Sequence, residues 1–120
     1  YEMKDTAGRG IGVARPRLLM LGHGKGPLLM SGGRLLTEHT RDILLWISWD
    51  GTGRDWQTFS LSYQHNALVN DTALRFSAAV NSTAGRATTS YTSLLAIDDQ
   101  TAVVVYNGDT GVFAMRFSVG

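Results

Sequence analysis

The 120-residue chain contains no cysteine and only two prolines, against fourteen glycines. Without cysteine there are no disulfides, no thiolate nucleophile and no Cys-ligated zinc site. An excess of one charge is also missing. Eleven Lys and Arg face ten Asp and Glu, for a formal net charge of +1. That balance argues against the strongly basic surface of a nucleic-acid binder. No apolar run approaches the ~20 residues that span a bilayer as a helix. The opening "YEMKDTAGRG" has neither an initiator methionine nor a signal-peptide pattern, and it reads as the interior of a longer chain. The glycines of "GRGIG" and "GHGKG" are followed by no P-loop Lys-Ser/Thr. His23, His39 and His65 are scattered, without metal-ligand spacing. No metal and no cofactor are expected.

What is present favours a folded β domain. The apolar share is 43% and the charged share 18%, enough to bury a core. Abundant Gly with Val, Leu, Thr and Tyr points to an all-β chain with frequent turns. Leu18–Leu21 and Leu28–Met30 flank Gly-His-Gly-Lys-Gly-Pro, a hairpin signal in which Pro27 opens the second strand. In "RDILLWISWDG", Ile43, Leu45 and Ile47 alternate with Leu44, Trp46 and Ser48. Both faces are apolar, as in a strand packed between neighbours. "WQTFSLSYQ" alternates through Trp56, Phe59, Leu61 and Tyr63 and predicts a fourth strand. Residues 64–90 are polar and lack a period. "DTALRFSAAV" within them predicts a short helix capped by Asp71 or Thr72. "SLLAID", "AVVVYN" and "VFAMRFSV" predict three more strands, turned at "DDQT" and "GDTG". "NDT" at Asn70 and "NST" at Asn81 match the N-glycosylation tripeptide, which has meaning in a secreted, extracellular chain.

Four strands, a long connection and three strands suggest a repeated sheet. Repeated four-stranded antiparallel sheets build β-propellers. The expected fold is therefore a partial propeller of about two blades, one over residues 15–64 and the last over 89–120, joined by a loop over 65–88. The other arrangement open to this pattern is a small, complete β-sandwich or barrel with seven strands.

"SWDGTGRDW" carries a more specific signal. Ser48 and Asp50 offer oxygens to turn amides, Gly53 permits a left-handed step, and Trp56 buries a ring while keeping one donor. The set resembles the Asp-box of sialidases (neuraminidases) and other BNR-repeat propellers, Ser-x-Asp-x-Gly-x-x-Trp. Here one extra residue lies between Asp50 and Trp56. In those families the box is structural and sits away from the catalytic centre. "RDILLWISWDG" resembles the sialidase segment in which the third arginine of the triad precedes such a hairpin. "SYTSLLAIDDQTAVVVYN" resembles the segment that holds the tyrosine nucleophile. The similarity runs from Arg15 onward and implies the C-terminal part of a six-bladed sialidase-like propeller.

Carried over residue by residue, the resemblance implies that Tyr91 is the nucleophile and that Arg41 grips the substrate carboxylate. Arg34, after "SGG", competes for that role, because the glycines let the backbone pass close to a ligand. The chemistry is coherent. Sialic acid bears a carboxylate on its anomeric carbon, which repels a carboxylate nucleophile, and sialidases use tyrosine instead. Arginine donates two parallel bonds to a carboxylate and keeps its charge. The implied partners are a sialylated or otherwise acidic glycan and the remaining propeller blades. Asn107 ends the strand where the family commonly has a Glu, and an amide cannot charge-pair with arginine. A propeller that binds glycan or protein without chemistry is the alternative reading. Without the resemblance, Tyr91 is a strand-end aromatic and Arg41 beside Asp42 a surface ion pair.

Overall fold

The computed structural model describes residues 4–5, 13–37, 40–76, 88–108 and 111–120. Within them the chain is mostly strand. β1 (Lys4–Asp5), β2 (Val13–Met20), β3 (Leu28–Thr37), β4 (Thr40–Ser48) and β5 (Asp55–Ser60) form one sheet in the order β1-β5-β4-β3-β2. β2 to β5 are an antiparallel meander, and the two-residue β1 joins parallel to β5. After the helix α1 (Leu61–Leu68) and a single 3₁₀ turn at Thr72–Leu74, β6 (Thr88–Ala96), β7 (Thr101–Gly108) and β8 (Gly111–Ser118) form a second antiparallel sheet.

The predicted runs explain most of these elements. The glycine-rich stretch between Leu21 and Pro27 is a tight connection. Gly22, Gly24 and Gly26 all take positive φ, and His23 does so at 53°. Asp98 and its neighbours turn β6 into β7, with the Asp98 carboxylate accepting from Gln100 N–H. The expectation of two apolar faces on β4 holds, for Ile43 to Ile47 are all buried.

The region after β5 departs from the reading. A fourth strand was expected to run through Tyr63, but it stops at Ser60. Ser60 caps α1, its hydroxyl accepting from Tyr63 N–H at 3.2 Å. Serine at an N-cap satisfies an otherwise unpaired helix amide, and this local bond overrides the alternating pattern. The short helix expected over "DTALRFSAAV" reduces to the 3₁₀ turn at Thr72–Leu74. Asp71 does cap it, accepting from Ala73 N–H at 3.0 Å. Residues 77–80 of that stretch, and Asn81 with its tripeptide, lie outside the described residues.

The two sheets enclose the larger core. Leu29, Ile43, Leu45, Ile47 and Leu61 from the first sheet and its helix meet Ala102, Val104 and Tyr106 from the second. Leu19, Phe59, Phe113, Met115 and Phe117 are half-buried against them. A second cluster on the opposite side of the first sheet comprises Met30, Leu44, Trp46 and Trp56.

α1 is tied down by Ser62, Asn66 and His65, the last of which is buried. His65 is 1% exposed. Its Nε2 lies 2.8 Å from the Leu74 carbonyl, and its Nδ1 lies 2.8 Å from the Tyr106 hydroxyl. A carbonyl only accepts, so Nε2 carries a proton. In the neutral ring Nδ1 then accepts from Tyr106. Phe76 stacks on the same ring at 4.4 Å. Burial pushes the Tyr106 phenol up to about 12.

Candidate functional site

The hairpins sort the functional candidates to two ends of the molecule. β4 closes into β5 through the Asp-box-like turn. The Leu21–Pro27 connection lies beside it, since a Cβ on Gly26 would stand 3.2 Å from the Gly51 Cα. The β6–β7 turn is at this end too. Gly22 N–H donates to the Asp99 carbonyl at 3.2 Å, and His23 Nε2 lies 3.0 Å from the Asp99 carboxylate. The opposite end holds the last residues of β3, the first of β4 and β6, and the last of β7.

The Asp-box-like turn has the internal bonding that its residue types suggest. The Ser48 hydroxyl donates to Asp50 Oδ1 at 3.1 Å and accepts from Gly53 N–H at 2.9 Å. The Thr52 amide and hydroxyl donate to the same carboxylate oxygen at 3.0 and 2.8 Å. These bonds, the Thr52 amide first, hold the Asp50 carboxyl below its ordinary range. Gly53 has φ 72°, the left-handed region that glycine enters without strain. Trp56 is buried, and its Nε1–H donates to the Gly53 carbonyl at 2.9 Å. The extra residue between Asp50 and Trp56 leaves all four named positions joined in one network.

Tyr91 lies at the other end. It is half-exposed and borders a shallow hollow of about 220 Å³ with Thr92, Ser93, Val105, Asn107 and Val112. Thr92 pairs with Tyr106 across the β6–β7 ladder, which brings Asn107 next to Tyr91. The neighbouring Thr92 is buried and pins this strand to the first sheet, its Oγ1 lying 2.7 Å from Ser31 Oγ.

Arg34 and Arg41 belong to the same end by backbone. Arg34 pairs with Asp42, and Leu35 with Arg41, in the last pairs of the β3–β4 ladder before Thr37 and Thr40. The side chains of both arginines lie outside what the structure describes. The hairpins therefore bring the two arginine positions and Tyr91 to one end, apart from the Asp-box-like turn.

No family model, curated protein or solved structure matches this chain. The functional reading therefore rests on the residues and their placement.

One group went unnoticed as a buried site. Asp42 is 2% exposed. Its carboxylate accepts from Ile43 N–H at 2.8 Å, from the Ser60 hydroxyl at 2.8 Å and from the Ser62 hydroxyl. This node fastens the start of β4 to the β5–α1 junction. The reading of Asp42 as half of a surface ion pair is corrected, because a buried carboxylate must be hydrogen-bonded where it sits. The signal was available: Asp42 begins an apolar run, and Ser60 and Ser62 flank Leu61 where the strand becomes helix. Among the described residues no group of three metal-ligating side chains comes together. Likewise among them, no helix is long and apolar enough to cross a membrane.

Proposed function

We propose that the chain is part of a sialidase-like propeller acting as a retaining glycosidase on terminal sialic acid or a related acidic sugar. One observation carries this reading. The Asp-box-like turn is fully hydrogen-bonded at one end, while Tyr91 and the backbone positions of Arg34 and Arg41 belong to the opposite end of their hairpins. That is the division of labour the resemblance implies, with a structural turn remote from chemistry. The four-stranded and three-stranded meanders each place their first strand, β2 or β6, at a sheet edge, an order compatible with adjoining blades.

In this reading the Tyr91 oxygen attacks the anomeric carbon, forming a glycosyl–tyrosine bond as the aglycone leaves. Water then breaks that bond and releases the sugar with retained configuration. A tyrosine hydroxyl needs a base to take its proton before it becomes a good nucleophile. The hollow around Tyr91 offers none among its described lining residues. The base and the acid that protonates the leaving group belong, on this proposal, to the remaining blades. Arg41, or Arg34 in its place, binds the sugar carboxylate and fixes its orientation.

A second reading is favoured by the hollow itself. It is open, and its described lining residues are two tyrosines, Thr92, Ser93, Asn107 and two valines, with no carboxylate among them. An amphipathic ring beside an amide suits glycan binding without turnover. A fluorogenic sialoside separates the two, assayed on the polypeptide that carries this chain together with the remaining blades. Turnover that Tyr91→Phe abolishes while binding persists supports the glycosidase. Binding without turnover in the wild type supports the module.

A further inference from the structure

The second sheet is one strand short of the antiparallel meander in the first. β2 to β5 are four antiparallel strands in succession, whereas β6 to β8 are three. β8 pairs with β7 over its whole length, from Gly111 to Ser118. Among the described residues no strand pairs with its other edge. An open edge presents a row of backbone N–H and C=O groups, and proteins usually blunt such edges with proline, bulges, charged side chains or a covering element. β8, with the sequence GVFAMRFS, has no proline and an unbroken register, and its one charged residue, Arg116, is exposed.

That edge borders an apolar groove of about 310 Å³. Its walls are Leu45, Ile47, Phe59 and Leu61 on one side and Met115 and Phe117 on the other. All six belong to, or pack against, the core between the sheets. The groove is thus the continuation of the established sheet–sheet interface into a space with walls and, among the described residues, no filling strand. Trp49, half-exposed, stands at its rim.

We propose that this edge and groove accept one extended polypeptide strand that carries apolar side chains at alternate positions and hydrogen-bonds to β8. The backbone ladder supplies affinity, and the apolar walls take every second side chain. The intervening side chains fall beside exposed Val112, Ala114 and Arg116 and are polar. The occupant is a strand because the unpaired groups of β8 need backbone partners about 4.8 Å away, a spacing that a helix does not offer. A second copy docked β8 to β8 would carry its own four-stranded sheet into the space below the joined strands. A lone strand brings no such sheet. This inference is independent of the glycosidase reading.

The test uses the 120-residue chain and a short synthetic peptide alternating valine and threonine, with terminal lysines for solubility. A control peptide has prolines at two central threonines. Amide hydrogen exchange is followed by NMR. The expected result is new protection at alternate amides of Gly111–Ser118 with the first peptide alone, while the β2 edge is unchanged. Trp49→Ala should weaken binding about threefold or more and leave the far-ultraviolet circular dichroism intact. Three results would overturn the proposal. One is an absence of new protection on β8. Another is equal binding of the proline peptide, which marks simple apolar adsorption. The third is β8 protection without peptide that rises with protein concentration, which marks a second copy.

Discussion

Ser31 Oγ and Thr92 Oγ1 lie 2.7 Å apart, both buried, at the point where β3 of one sheet meets β6 of the other. The pair is separated by sixty-one positions in sequence. It sets the height of Tyr91 relative to the residues that follow Ser31, namely Gly32, Gly33 and Arg34. Removing one hydroxyl strands the other in the core, at a cost of about 1–3 kcal/mol. Ser31→Ala and Thr92→Val should each destabilise by about that amount. The double variant should lose less than the sum, because no unsatisfied group remains. Urea unfolding of the four proteins measures this, and strict additivity would refute the coupling.

Asp42 gives the larger expected loss. Asp42→Ala leaves two serine hydroxyls and the Ile43 amide without their acceptor. Each buried donor stranded in this way costs about 1–3 kcal/mol. Ser60→Ala removes one donor to that node and the α1 cap together, and should cost about 1–2 kcal/mol. Thermal unfolding should rank the variants in that order.

Most of the strand framework was legible in the sequence, because burial on alternate or on both faces writes itself into residue order. Ile43 to Ile47 and Val103 to Val105 are examples. The Asp-box-like turn was legible because its bonds are local, all within residues 48–56. What was not legible depends on partners distant in sequence. Leu61 to Gln64 continue a strand-like alternation, yet Ser60 turns them into a helix whose anchor, His65, bonds Tyr106 forty-one residues away. Asp42 looked like a surface charge because its serine partners lie eighteen and twenty positions further on. Tyr91 was singled out by resemblance, and no periodicity marks it.

The Asp50 network predicts a pH dependence with a definite sign. The folded carboxyl titrates below its unfolded value. Its contribution to stability is therefore present above the unfolded pKa and lost as pH falls through the folded one. Asp50→Asn should be less stable than wild type near neutrality and converge on it in acid. On the proposed reading, the same substitution leaves glycan turnover or binding unchanged, since the turn lies at the far end from Tyr91. Denaturation midpoints across the acid range, read beside the sialoside assay, check both statements.

Tyr106 has the opposite behaviour at high pH. Its folded phenol titrates near 12, above the unfolded value of about 10. Its contribution is fully present below the unfolded pKa and disappears as pH rises through the folded one. Phenolate absorbance should show a tyrosine that ionises late, and this class should vanish in Tyr106→Phe. That variant also leaves His65 Nδ1 without its donor, at a cost of about 1–3 kcal/mol.

Tyr91→Phe discriminates function from structure most directly. The side chain is half-exposed, and substitutions at such positions away from buried networks usually change stability by less than about 0.5 kcal/mol. Urea unfolding of the variant beside the wild type separates any loss of stability from a loss of function. If Tyr91 is the nucleophile, turnover of a sialoside falls to background while the affinity for the sugar is kept, because ring and hollow remain. A variant that loses affinity in proportion to turnover would make Tyr91 a binding contact. Arg41→Lys and Arg34→Lys, assayed beside it, identify the clamp. The arginine that binds the carboxylate in bidentate fashion should lose affinity even with its charge kept, and the other should not.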